Sequence, residues 1–202
     1  MSNYRNFILL IFVFSFAANA RAISVSKCFK TMTVEEAFSS LSSDQLPITD
    51  DDKGPIVDPK VRRKQIALRD LKNGYLKLQS KTIISETVIV LFRLTGGNPL
   101  LIVTADGPSV QKVYAFECAN NVWVDKIGRY LPDITLENLE LLYKKAGAKQ
   151  TAKDLGMVAH SKVRYQLPRV GKKLKIFAGH PDYENLLLEE RLFNGVDFLP
   201  VK

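Results

Sequence analysis

VLFRLTGGNPLLIVTADGPSVQKVYAFECANNVWV, residues 90–124, contains three short apolar strands and the start of a fourth. They are cut by Gly96-Gly97-Asn98-Pro99, Asp106-Gly107-Pro108 and Asn120-Asn121. β-Branched and aromatic residues fill the runs, and the interruptions are residue types that supply turns. Connections this short join antiparallel neighbours, because a parallel pair needs a crossover of about a dozen residues or more. The stretch is therefore predicted as a meander, with 87–94 a central, well-buried strand and Asn120-Asn121 a two-residue hairpin. Upstream, Asn73-Gly74 marks a turn into 75–79, where Tyr75, Lys77 and Gln79 alternate with Leu76 and Leu78. Downstream, strands are expected over 162–167, 172–178, 185–193 and 196–201, the last two joined by Asn194-Gly195.

Helices frame these runs. Thr33 with Glu36 makes a capping-box pattern, and Val34, Ala37, Phe38 and Leu41 follow it on one helical face, predicting a helix over 33–44. Thr135 opens a second, striped by Leu136, Leu139, Leu142, Tyr143 and Ala146 and closed by Gly147. Residues 148–159 suggest a third, weakened by Gly156. The basic segment 60–71 fits a helix imperfectly, and Arg62-Arg63-Lys64 within it reads as a solvated face.

A shift of 73 residues lays the strand block on the C-terminal strands: Val90 meets Val163, Leu101 meets Leu174, and Pro108 meets Pro181. With one inserted residue, Asn120-Asn121 meets Asn194-Gly195. The expected class is α+β, with antiparallel sheets, helices packed on one face, and a tandem α(α)ββββ repeat. Residues 23–130 would form the first helix-plus-sheet half and 131–202 the second, within one compact unit. This layout resembles the β-lactamase-inhibitor-like fold, built from a tandem ααββββ repeat, and is similar to uncharacterised exported bacterial proteins. The resemblance is one of element order over residues 33–202 and contains no diagnostic motif, so no functional residue carries over. It implies two sheets side by side around a concave surface and, as one activity, inhibition of an extracellular enzyme.

The N-terminus reads as an export signal. Arg5 precedes an apolar run at 7–18, and Ala18-Asn19-Ala20 and Ala20-Arg21-Ala22 offer overlapping A-x-A cleavage sites. Residues 1–22 are the expected signal peptide, the alternative being an uncleaved anchor. No later segment approaches about 18 continuous apolar residues, so no transmembrane span is expected after cleavage. The address is periplasmic or extracellular. Loss of Arg5 and Arg21 lowers the formal charge from +8 to +6. That balance suits solubility or an anionic partner, and nucleic acid is disfavoured because basic and aromatic residues do not interleave. Cys28 and Cys118 permit one disulfide in an oxidising compartment, the alternative being two unpaired thiols. Lys27 before Cys28 argues against a lipid-anchored cysteine.

Chemistry-bearing patterns are sparse. His160 and His180 lie without a metal-ligand or triad spacing, and HExxH, CxxC, G-x-S-x-G and the Walker lysine are missing. Asp50-Asp51-Asp52 lacks the alternation of a calcium loop. Glu189-Glu190 and Glu137/Glu140 are carboxylate pairs of the sort that edge a strand or face solvent from a helix. No catalytic, cofactor-binding or metal-ligating residue is therefore assigned. Tyr114 and Trp123 are the candidate aromatic surface for a partner, with ordinary core as the competing reading. These observations favour a non-enzymatic exported binding or structural protein whose partner is a protein or an envelope glycan. A cell-envelope hydrolase using scattered carboxylates is the alternative.

Overall fold

The computed structural model describes residues 27–42, 45, 59–79, 86–106, 111–131, 134–149 and 163–201. The expected signal segment, the triple-aspartate loop, His160 and nearly all of the expected helix at 148–159 lie outside these residues. Six strands follow one another as a meander: β1 (Ile66–Asp70), β2 (Tyr75–Gln79), β3 (Glu86–Arg93), β4 (Pro99–Asp106), β5 (Gln111–Ala119) and β6 (Val122–Asp125). Every neighbouring pair is antiparallel. The most buried strand is β4, whose first six residues are all inside, so both faces of the sheet are covered at its centre. Asn120 and Asn121 take positive φ angles of 51° and 62° between paired Ala119 and Val122, which makes them the two-residue hairpin expected.

Helix α1 (Val34–Ser40) covers one face of this sheet. Its capping box is complete: Thr33 Oγ1 accepts from the Glu36 amide at 3.2 Å, and Glu36 Oε2 accepts from the Thr33 amide at 2.6 Å. Val34, Ala37 and Phe38 then pack over Leu76, Ile89, Leu101 and Val103. Fully burying a side chain such as Phe38 contributes about 1.5–3 kcal/mol. Beneath α1, Cys28 and Cys118 form a disulfide with Cα atoms 5.8 Å apart, and the Cys28 amide donates to Asn121 O at 3.0 Å. Arg93 holds the same segment by donating to the carbonyls of Lys30 and Met32.

After α3 (Ile127–Tyr130) and α4 (Leu136–Lys145), a second antiparallel meander runs through β7 (Val163–Gln166), β8 (Lys173–Ala178), β9 (Leu187–Phe193) and β10 (Phe198–Pro200). Leu174, Ile176 and Ala178 share one face of β8 by the period of two, and all three are buried. The Leu174 end of that face, with Phe193 and Phe198, packs on the uncovered face of the first sheet at Phe92, Leu100 and Ile102. The Ile176 end receives Leu139 and Tyr143 from α4. The sheets meet face to face, and α4 shares the inner face of the second sheet with the first.

Four expectations are corrected. The segment 60–71 contains a short α2 (Pro59–Lys64) and then β1, whose half-buried positions Ile66, Leu68 and Asp70 alternate with exposed ones. A register irregularity between Ile66 and Leu68 sends these two to opposite faces of the sheet. The connection after Phe193 has four residues, since Phe193 pairs with Phe198, so Asn194-Gly195 is part of a longer turn. The sheets stack where a side-by-side arrangement was implied. Finally, the 73-residue shift does not preserve register. It would place Val163 opposite Lys175, the counterpart of Ile102 opposite Val90, whereas Val163 faces Ala178. Five residues separate Arg93 from Pro99 but eight separate Gln166 from Lys175, and β1 and β2 have no counterparts in the second sheet. The two four-strand meanders share an order, but a duplication is not shown by it.

Polar ties lock the two sheets. The Gly195 carbonyl accepts from the Thr95 amide at 2.7 Å and from Thr95 Oγ1 at 3.1 Å. Gly195 has φ +97°, and a Cβ there would stand 2.9 Å from Thr95 Oγ1. Gly195→Ala therefore combines left-handed strain of about 1–2 kcal/mol with displacement of a hydroxyl that ties the sheets. A loss of roughly 2 kcal/mol in urea unfolding is expected; an unchanged midpoint would remove this contact from the account.

Arg129 makes a second tie, lying 3.4 Å from Asp197 in the β9–β10 turn and 5.1 Å from the ring centre of Tyr130, whose hydroxyl donates to Glu117 Oε2 of the first sheet at 2.7 Å. Burial raises the phenol of Tyr130 far above its ordinary value, with the Glu117 hydrogen bond adding to it. Burial likewise raises Tyr75, Tyr114 and Tyr143. A phenol whose folded pKa exceeds its unfolded value near 10 contributes stability below pH 10, and that contribution is lost as pH rises toward the folded value. Stability should therefore fall steeply above about pH 10, with these phenols ionising together with unfolding in a spectrophotometric titration. Independent ionisation near pH 10 with the fold intact would contradict their burial.

Candidate functional site

The inner face of the first sheet extends beyond the part that the second sheet covers. At that end β3 starts, β4 finishes and β5 starts, so Glu86, Asp106 and Gln111 come together from three strands. Behind them lie Tyr75, Val88 and Thr104, and across from them passes the edge strand β7 with Arg164 and Tyr165. Together with Phe177, Glu184 and Asn185 they line a cleft of about 280 Å³. This is close to the lower end of the usual small-ligand range, about 300–1,000 Å³.

Gln111 builds the junction. Its amide oxygen accepts from the Tyr165 backbone N–H at 2.7 Å, and its amide nitrogen donates to the Tyr165 carbonyl at 3.0 Å and to Asp106 Oδ1 at 2.7 Å. One side chain thus pairs with β7 as a neighbouring strand would. Glu86 is held by Lys77 at 2.5 Å, and that hydrogen bond raises the lysine's pKa. Tyr75 is kept a neutral phenol by burial and by the adjacent Glu86. Arg164 donates to the Glu184 carbonyl at 3.3 Å.

Thr104 is the least expected member. It is 3 % exposed, the buried polar side chain among the described residues, and its hydroxyl has no partner among them. Buried hydroxyls are nearly always hydrogen-bonded, and one left unpaired is destabilising by about 1–3 kcal/mol. In the run PLLIVTAD it is the single polar residue before the terminal aspartate, which is the signal that sequence reasoning passed over.

Of the described residues singled out earlier as candidate sites, none lines this cleft. Cys28 and Cys118 are joined on the opposite face of the first sheet. Trp123 takes the core reading: it is 3 % exposed beneath α1, its indole N–H donating to Ser40 Oγ at 2.7 Å. Tyr114 is half-buried on the same face, stacked on Phe116 at 6.2 Å. His180 caps a 3-10 turn by accepting from the Asp182 amide at 3.2 Å. Glu189 pairs with Arg191 and Glu190 with Lys173, and Arg63 reaches Glu35 on α1. Among the described residues no three metal-ligating side chains converge, and no helix is long and apolar enough to cross a membrane.

Comparison of the chain with protein-family models, with characterised proteins and with solved structures gives no match.

Proposed function

We propose that the chain is an exported, non-enzymatic binding protein that holds a small polar group, such as the exposed end of an envelope glycan, in the cleft between its two sheets. The observation that carries this reading is the Thr104 hydroxyl, buried and unpartnered in the cleft wall among the described residues. A ligand hydroxyl or amine would satisfy it. The leader-like order of Arg5, the apolar run at 7–18 and the A-x-A sites supports export.

A hydrolase is the second reading, because the cleft collects Glu86, Asp106 and Glu184. Glycoside cleavage needs one carboxyl group able to donate a proton and another able to attack or activate water. Here Glu86 is tied to Lys77 and Asp106 to Gln111, which favours holding a ligand over transferring a proton.

Thr104→Val separates these roles. It removes an unpaired hydroxyl from the core, so the free protein should unfold at a higher urea concentration, by roughly 1 kcal/mol. Its affinity for soluble envelope-glycan fragments, followed by calorimetry, should drop about tenfold. Equal affinity and equal stability would dismiss the cleft as a site. Release of shortened glycan by the unsubstituted protein would replace binding with hydrolysis.

A further inference from the structure

We infer that the group this cleft selects is an organic ammonium, as carried by an amino sugar or a polyamine; the inference rests on the cleft being a binding site. The chain as a whole is basic, with 29 lysines and arginines against 21 acidic residues. The cleft reverses that balance. Its titratable lining comprises the carboxylates Glu86, Asp106 and Glu184, the guanidinium Arg164 and the phenols Tyr75 and Tyr165.

Among the described residues the nearby cations are Arg164 and Lys77, which leaves the three carboxylates in excess. Arg164 donates to a main-chain carbonyl, and Lys77 pairs with Glu86. Asp106 gives one oxygen to Gln111, and its second oxygen and the Glu184 carboxylate have no partner among the described residues. Thr104 adds an acceptor at the buried end. Carboxylates and hydroxyls are acceptors for an ammonium's three N–H groups, and Tyr75, Tyr165 and Phe177 add aromatic rings of the kind that attract cations. An anionic ligand would meet two unneutralised carboxylates instead. The surrounding net positive charge does not oppose this, because exposed charges are screened beyond about 8 Å at physiological salt.

The test uses three probes on the purified chain at neutral pH and fixed salt: a fully deacetylated glucosamine tetramer, its N-acetylated counterpart, and spermidine. The acetylated tetramer keeps the sugar backbone and lacks the ammonium charge. At least one ammonium probe should bind, about tenfold or more tighter than the acetylated tetramer. Asp106→Asn combined with Glu184→Gln should abolish most of that difference, and Thr104→Val should weaken the same probe. Binding by the deacetylated tetramer alone assigns the ammonium to a sugar, and binding by spermidine alone assigns it to a polyamine.

Equal binding of the acetylated and deacetylated tetramers, still weakened by Thr104→Val, would overturn the ammonium inference and leave the cleft as a binding site. Binding of none of the three probes overturns the inference too, and the glycan-fragment titration with Thr104→Val then decides the cleft separately. Ammonium binding that is untouched by all of these substitutions would overturn both.

Discussion

Replacing Cys28 and Cys118 together by alanine should destabilise the protein by about 4–5 kcal/mol. The two cysteines are 90 residues apart, so the bond closes a long loop in the unfolded chain. In the chain-entropy account the restriction grows with the logarithm of loop length, and a loop of this size lies near the upper end of the range. For a domain of this size each kcal/mol moves the thermal midpoint by roughly 2–4 °C, so a fall of about 10–15 °C is expected. Both side chains are enclosed, Cys28 at 0 % and Cys118 at 4 % exposure, which keeps a reductant away until the chain opens. Calorimetry of the double variant measures the loss. A midpoint within a degree or two of the unsubstituted protein would mean that the bond constrains nothing the fold does not already hold.

Phe193→Ala should have the next largest effect, about 3–5 kcal/mol. The Phe193 ring is 5.0 Å from Phe92 and 5.1 Å from Phe198, and Phe92 meets Phe198 edge-on at 5.3 Å. These three rings join the sheets, and Phe193 is 1 % exposed, so truncation leaves a cavity at the centre of the junction. The loss should be local as well as large. Backbone amides in β8 and β9 should exchange faster with solvent, while those of β3 and β4, buried under α1, keep their protection. Leu192→Ala, one residue away but 49 % exposed on the outer face, should shift stability by no more than about 0.5 kcal/mol. If the two variants proved equal, the junction would not be where the second sheet gains its stability.

The local elements were largely legible, because local chemistry determines them. Thr33 and Thr135 cap helices where their spacing says they should, and Asn120-Asn121 makes a tight turn because asparagine tolerates positive φ. What sequence could not show was pairing across distance. β1 was hidden by Lys64, Arg69 and other charges whose side chains face solvent, leaving only Ile66 and Leu68 to mark the strand. Sequence left Trp123 between a partner surface and ordinary core, and the position of α1 places it inside. The cleft was illegible for a stronger reason. Glu86, Asp106, Gln111 and Arg164 lie on four strands, and they approach one another only after two sheets have stacked. Thr104 alone gave a local sign, a hydroxyl in an otherwise apolar strand.

The amide of Gln111 has a consequence for the company this chain keeps. A strand at the margin of a sheet is a template on which another polypeptide can add itself. By satisfying both main-chain groups of Tyr165, Gln111 occupies part of that template on β7. At the opposite margin, Pro200 in β10 has no N–H to donate. Each margin of the second sheet is thus blunted by a different device, one a borrowed amide and the other a missing hydrogen, so that strand addition is disfavoured at both ends.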